Sequence, residues 1–405
     1  MQQSPETGYP DEHRTEFIAR VQEQRHFLVV LGGLLAHHQR WFELAKEHGA
    51  DFDPDIAPAD NSYANIFLPY GIGGIGKSWL TRRCLDLAQG IPYDLPILTL
   101  YEDVSYGAPV LEPVHLLDRL AHRLDQFGYG ADLAGYHQAQ ADLPHVVDRV
   151  TRFQFEHRDQ WDNMLRIATE MAARGRLKAG YQSFAETSLA FTHASGAEVS
   201  GSDAPTLAKA YDLLLEKMQS QQAIEATDVA LFRNPPAALA AQLVRALTRI
   251  VSESPLVIGL DNLEFIVSLE PLIRDCLVIP TNHAPLIWIL SGRYNLADER
   301  VVLLNGEQQT FKGYRDLLGR NPPVVWDMSI FGDADLREYL QAESERRRST
   351  LVVDEILVEA VKSTSRDCSA AVKPSGAQKR TRGSPLAAIR SSNWSPAGVE
   401  LMKRA

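Results

Sequence analysis

The sequence predicts an α/β fold: a mostly parallel sheet flanked by helices, with a helical block inserted between two of its strands. Three observations carry this. Short, nearly all-apolar runs recur at 65–70 (NIFLPY), 96–101 (PILTLY), 256–260 (LVIGL), 286–290 (LIWIL) and 323–328 (PVVWDM). Runs without polar alternation suit strands covered on both faces, as parallel strands are. Amphipathic helical patterns stand between them, the spacing of βαβ units. A long stretch, about 128–230, has helical periodicity and few β-branched runs.

The elements follow in order. Residues 14–47 read as a helix with Phe17, Val21, Phe27, Leu31, Leu34 and Leu35 on its apolar stripe, stopped at Gly49. A Pro/Asp-rich loop fills 50–63. After the strand at 65–70 comes the glycine-rich GIGGIG. A helix over about 77–89 then turns Leu80, Cys84, Leu85 and Leu87 inward and ends at Gly90. The strand at 96–101 leads to a helix at 114–126. A soft Gly/Ser/Asp segment, 195–205, interrupts the helical block. Asn234-Pro235 opens a helix over 236–253 with Leu239, Leu243, Leu247 and Ile250 on one face. Residues 333–347 read as a further helix. No repeat of 20–50 residues is present. The expected organisation is a leading helical segment and loop (1–63), an α/β core with its helical insertion (64–345), and a helix followed by a basic tail (346–405).

The chain has 405 residues, 45% hydrophobic and 23% charged, which excludes wholesale disorder and a small disulfide scaffold. No uncharged apolar run approaches about 20 residues, so no membrane span is expected. The polar, acidic start MQQSPETGYPDEHR does not read as a secretory signal. Cys84, Cys276 and Cys368 lie far apart and form no CxxC pair. Each is expected to be a small buried hydrophobe in a reducing, cytoplasmic setting. The net charge of −11 is uneven: residues 346–405 hold 12 Lys+Arg against 5 Asp+Glu, and the remainder 29 against 47. An acidic body argues against a broad nucleic-acid surface.

Gly71-Ile-Gly-Gly-Ile-Gly-Lys77-Ser78 satisfies GxxxxGK[ST], between an apolar strand and an amphipathic helix. Glycines let backbone N–H groups turn inward around phosphate oxygens, and the helix N-terminus adds its dipole. In that arrangement Gly71, Gly73, Gly74, Ile75, Gly76, Lys77, Ser78 and Trp79 form the cofactor site. Lys77 reaches the β- and γ-phosphates, and the Ser78 hydroxyl binds Mg²⁺. Such a loop also needs a carboxylate on a neighbouring strand to hold the metal through water. LVIGLDNLE supplies Asp261, which could instead cap the next turn. Glu264 either orients an attacking water or is a surface carboxylate. Asn262 stands where many P-loop ATPases carry a second acid, which argues against fast hydrolysis. The strand 286–290 ends in Ser291-Gly292-Arg293; Arg293 can face a γ-phosphate or be a cap or surface arginine.

These pieces, in this order, resemble the STAND class of P-loop ATPases, the group that includes the NB-ARC and NACHT switch proteins. The loop there reads GxGGxGK[ST], matched by Gly71, Gly73, Gly74, Gly76, Lys77 and Ser78. LVIGLDNLE looks like the Walker B strand and Arg293 like the sensor-1 arginine. Phe17-Ile18-Ala19-Arg20-Val21-x-Glu23 is similar to the class's FxGRexE motif, with Ala19 for the usual Gly. VVWDMSIFGDADLREYL is similar to the segment that closes the core. The resemblance covers about residues 15–345. Lys77 and Asp261 stand 184 residues apart, more than a minimal core needs, and the inserted helices account for the excess. The lid and winged-helix turn of the class have no match in 357–375. From Arg366 the composition turns Ser/Arg/Lys/Pro-rich, as disordered tails do, so a short or truncated C-terminus is the expectation.

The resemblance implies ATP/ADP and Mg²⁺ as cofactors, and Lys77, Asp261, Glu264 and Arg293 as catalytic residues, with Ser78 and Asp261 around the metal. It implies slow hydrolysis serving a nucleotide-dependent signalling switch, with a protein partner or self-association in the ATP state. The alternative is a scaffold stabilised by nucleotide without turnover. A metabolic P-loop kinase fits less well, because it needs a dedicated acceptor pocket. ATP rather than GTP also comes from the resemblance, and no NKxD motif follows. Arg346-Arg347-Arg348 reads as a solvated helix face beside Glu343 and Glu345, and Lys379-Arg380-Thr-Arg382 is the one segment that could meet nucleic acid or anionic lipid. The histidines have no metal-ligand spacing, and there is no GxSxG.

Overall fold

A computed structural model describes residues 20–49, 52, 63–72, 76–105, 112–174, 204–304, 307–315, 322–328, 337 and 341. All lie in the first of the two units into which the chain divides, residues 1–352. The helix expected at 333–347 and the tail fall outside the described residues, apart from Arg337 and Gln341.

In order, the elements are α1 (Val21–His48), β1 (Ile66–Tyr70), α2 (Lys77–Gly90), β2 (Leu98–Asp103), α3 (Pro113–Gln126), α4 (Ala134–Glu156), α5 (Arg158–Ala173), α6 (Ala204–Ser220), α7 (Ala226–Arg233), α8 (Pro235–Glu253), β3 (Leu256–Asp261), β4 (Leu286–Leu290), β5 (Arg300–Leu304), β6 (Glu307–Phe311) and β7 (Val324–Asp327). Two 3₁₀ turns and a π-helical stretch, Leu272–Val278, fill the span between β3 and β4. Asn234 caps α8 as its sequence suggests, accepting from the Ala237 N–H, with Pro235 in the first turn. β2 starts two residues later than the apolar run. Pro96 has no N–H to give, and the ladder begins with Leu98 N–H to Pro255 O at 2.9 Å.

One five-stranded sheet has the order β2-β3-β4-β1-β7, with every pair parallel. The chain leaves β1 for the far edge at β2, returns through β3 and β4, and passes β1 to reach β7. Right-handed crossovers running in opposite directions put their helices on opposite faces, and the core divides accordingly. On one face Phe67, Val257, Ile287 and Ile289 pack against α1 and α2 through Phe27, Leu31, Leu34, Leu80 and Cys84. On the other, Ile66, Leu68, Ile258, Leu260, Trp288 and Leu290 pack against α3–α8. The helices of the expected insertion belong to this second core, since Tyr136, Val150, Tyr211 and Phe232 share its cluster with the strands. They thicken one helical layer over the sheet. Cys84 is buried as expected, Cys276 only partly so; Cys368 falls outside the described residues.

The antiparallel pair β5–β6 has no counterpart in the sequence reading. Its signal is present: Asn-Gly at 305–306 between RVVLL and EQQTF is a hairpin signature.

Gly259 in β3 faces α2. A Cβ there would meet Thr81 Cγ2 at 2.8 Å, so the missing side chain sets how closely the helix approaches the strand. Gly259→Ala should cost about 1–3 kcal/mol in chemical denaturation, the usual range for overpacking. Adding Thr81→Ala should recover most of the loss.

α1 buries two consecutive histidines. His38 Nδ1 lies 3.1 Å from Tyr93 OH, and His37 Nδ1 is 3.1 Å from Tyr63 OH. Burial, helped by neighbouring His37, lowers the His38 pKa from 6.5 to about 4. Between those values the unfolded chain binds a proton that the folded chain refuses. Stability should therefore fall as pH drops from about 6.5 toward 4, by up to about 3 kcal/mol from this group. Urea titrations across that range should show a flatter profile for His38→Gln.

Candidate functional site

The reversal of chain direction locates the site. The connection after β1 leaves toward α2, whereas those after β3 and β4 leave toward the opposite face, so a crevice opens at the carboxyl ends of β1 and β4. β4 lies between β1 and β3. This corrects the expectation of a neighbouring strand, because Asp261 stands two strands from the loop. Backbone bonds fix the edge. Gly292 N–H donates to Pro69 O at 3.2 Å, Gly71 N–H to Gly292 O at 3.3 Å, and Leu263 N–H to Ser291 O at 3.1 Å.

Of the glycine-rich loop, Gly71, Ile72 and Gly76 are described; Gly73, Gly74 and Ile75 fall outside the described residues. Gly76 sits at φ +91°, a conformation that favours glycine, and hands the chain into α2. No side chain caps α2, and its first turn holds no acidic residue. Its leading N–H groups are thus a fit for an anion. Lys77 is buried, and its Nζ donates to Gly71 O and Ile72 O, each at 2.9 Å. Burial lowers the Lys77 pKa; Glu264 and Asp261 pull it back up and Arg293 pushes it down, so all four expected catalytic residues share one electrostatic neighbourhood. Ser78 is half-buried in the same turn, and Trp79 is 39% exposed beside it.

Asp261 ends β3 with no exposed surface. Ser291 Oγ donates to its Oδ1, and Tyr101 OH donates to Oδ2 at 2.8 Å. Arg82 of α2 reaches Tyr101 OH from Nη2 at 3.3 Å, with its guanidinium 4.7 Å from the ring centroid. The next residue, Asn262, takes φ +65° and turns its side chain away, donating from Nδ2 to Asp103 Oδ1 at 2.9 Å. It therefore leaves Glu264 as the carboxylate that reaches the crevice. Glu264 is engaged there: Oε1 accepts from Arg293 Nε at 3.1 Å and Oε2 from the Arg293 N–H at 3.2 Å. The Arg293 side chain is 51% exposed and that of Glu264 only 9%. Behind this pair a cavity of about 10 Å³ is lined by Glu270, Arg300 and Tyr314, and Arg300 pairs with Glu270. Upstream, Arg20 sits at φ +65° and pairs with Glu23 at 3.4 Å; the rest of that motif, Phe17 to Ala19, falls outside the described residues.

Tyr101 and Asp103 were not singled out by sequence. Their signal is parity: with Leu98 and Leu100 facing one core, 99, 101 and 103 must face α2. A groove of about 440 Å³ lies elsewhere, at the amino ends of β1 and β7, lined by His26, Tyr63, Trp326 and Pro323. No protein-family model, no curated protein and no solved structure matches this chain.

Burial pulls the Asp103 pKa up, but hydrogen bonds from Ser105 and Asn262 prevail and hold it below the ordinary carboxylate range. Asn262→Asp should replace one of those donors with a second negative charge. We expect a loss of about 1–2 kcal/mol at pH 7, from the lost bond and like-charge repulsion. The loss should shrink as pH falls toward 4 and one carboxylate takes a proton, measured by urea denaturation at both pH values.

Proposed function

We propose that this chain binds a Mg²⁺-nucleotide at the carboxyl edge and acts as a slowly hydrolysing, STAND-like nucleotide switch. The observation that carries the reading is convergence. The GxxxxGKS loop follows β1, Asp261 ends β3, and Ser291-Gly292-Arg293 follows β4, at the edge where, among the described strands, the chain changes direction. An uncapped helix N-terminus, a buried lysine and a buried carboxylate meet there.

The donor set suits the cofactor. Ser78 and Asp261 offer hard oxygens. Among the described residues no group of three His, Cys, Asp or Glu could hold a metal by itself. Mg²⁺ keeps its waters and leans on phosphate oxygens, so two such hard oxygens are what it would ask of the protein. When bound, Mg²⁺ neutralises charge on the β- and γ-oxygens. The α2 N–H groups and Lys77 hold the phosphates, giving up the lysine's two carbonyl partners. Arg293 leaves Glu264 to meet the γ-phosphate, and Glu264, released from the pair, orients water. While that pair holds, the carboxylate is not free to act, so turnover is slow. The difference between nucleotide states is read by a protein partner or a second copy. Adenine over guanine rests on the family resemblance.

One observation favours the second reading, a nucleotide-stabilised scaffold without turnover. Glu264 is bonded through both oxygens and Asn262 is turned toward β2, so neither is disposed to activate water.

Thermal unfolding with Mg²⁺ and ATP, ADP or GTP, alongside overnight phosphate release, tests both. Native-state binding at 100-fold over Kd adds about 2.7 kcal/mol of stability. Adenine nucleotides should raise Tm in the wild type and leave Lys77→Ala unmoved. In a switch, Glu264→Gln should retain ATP and lose phosphate release; a scaffold should show no release in either form.

A further inference from the structure

We infer that Tyr101 is a positioning residue for the metal: its hydroxyl, opposite that of Ser291, fixes the Asp261 carboxylate in the orientation from which it holds Mg²⁺ through water. The inference rests on the nucleotide reading above and adds to it the residues that prepare the metal step.

Three observations converge. First, strand parity turns one side chain from each of three adjacent strands onto the α2 side of the carboxyl edge: Tyr101 from β2, Asp261 from β3 and Ser291 from β4. Register brings Asp261 level with Ser291, since Leu260 pairs with Leu290, and places Tyr101 two residues back along β2, beside Gly259, from where its long side chain reaches the carboxylate. Second, each oxygen of Asp261 accepts one hydroxyl, Oδ1 from Ser291 and Oδ2 from Tyr101. Two donors on opposite oxygens stop the carboxylate from rotating and aim its remaining lone pairs. Third, both partners are neutral, although the carboxylate is wholly buried. Lys77 is a cation in its neighbourhood, but the lysine donates to Gly71 O and Ile72 O, and the hydrogen bonds to the carboxylate come from neutral hydroxyls. Burying a carboxylate on such donors is costly, and a merely structural site would be served by an uncharged residue. The charge is explained if a cation is recruited there. Arg82 ties the arrangement to the phosphate helix, because it holds Tyr101 from the turn after Lys77 and Ser78. Closing α2 on phosphates and orienting Asp261 thus share a rigid part.

Groups that orient a metal-holding carboxylate typically account for 10–100-fold in metal affinity. The test uses the full chain and ADP, titrated by calorimetry in EDTA and then at rising MgCl₂. For Tyr101→Phe we expect unchanged ADP affinity in EDTA and at least a tenfold rise in the MgCl₂ that gives the half-maximal gain in affinity. Ser291→Ala, acting on the other oxygen, should behave alike and decides the matter if Tyr101→Phe does not fold. An unaltered MgCl₂ midpoint in a folded variant overturns the inference. So does an equal loss of ADP affinity with and without the metal, because that is what general loosening of the site produces. If the wild type binds ADP and gains nothing from MgCl₂, the metal role of Asp261 is wrong and the inference fails. If the wild type binds no ADP under either condition, the nucleotide reading itself fails and takes this inference with it.

Discussion

The placement of β4 between β1 and β3 is the constraint on which the rest of the molecule depends. All five residues of β4 are buried, with Leu286, Trp288 and Leu290 facing one core and Ile287 and Ile289 the other. A strand this apolar is stable only with helices over both faces. That requirement forces the chain to change direction once, and the change opens the crevice. The same strand then supplies the functional edge. Ser291 bonds Asp261, Gly292 joins β1 through two backbone bonds, and Arg293 holds Glu264. Fold and candidate site are thus built on one five-residue segment and the three residues after it.

The local elements were legible because their causes are local. Short apolar runs gave β1, β3, β4 and β7 to within a residue or two, and the Asn-Pro start gave α8 to within a residue. Strand order was not legible. An alternation of strands and helices says the sheet is parallel, but not that β4 divides the loop strand from the Asp261 strand. That outcome depends on which faces the helices can cover, a property of the whole chain. The helices of 134–233 show the same limit. Their periodicity is plain in the sequence, but whether they form a separate body or extend an existing layer depends on which strands their apolar stripes meet. Tyr211 and Phe232 resolve it by packing into the cluster that contains Trp288.

Legibility at the site divides along the same line. Lys77, Ser78, Asp261 and Arg293 sit in short motifs, so they could be named as candidates from the sequence. Their partners could not, because a hydrogen bond between residues 160 positions apart, as between Tyr101 and Asp261, leaves no pattern in either segment. The same holds for Asn262, which reads as a missing acid. In the fold its side chain secures Asp103, and its left-handed backbone starts the turn that carries Glu264. Asn262 thus acts by aiming Glu264, two positions on.

Under the proposed function, the pairing of Glu264 with Arg293 would limit the rate. The pair joins the two groups that a hydrolytic site would use separately, one to activate water and the other to meet the γ-phosphate. Glu264 is nearly buried, so an unpaired charge there would be costly. Arg293 is half exposed, and departure costs it little. In the proposed switch this asymmetry would make Arg293 the group that moves and Glu264 the group whose state depends on it. Beneath them the buried Glu270–Arg300 pair and Tyr314 line a cavity with room for about one water. Arg300 also begins β5, so that hairpin is tied directly to the floor of the site. Under the proposed function, a rearrangement that starts at Arg293 would reach the β5–β6 hairpin through Arg300 without requiring the sheet to deform.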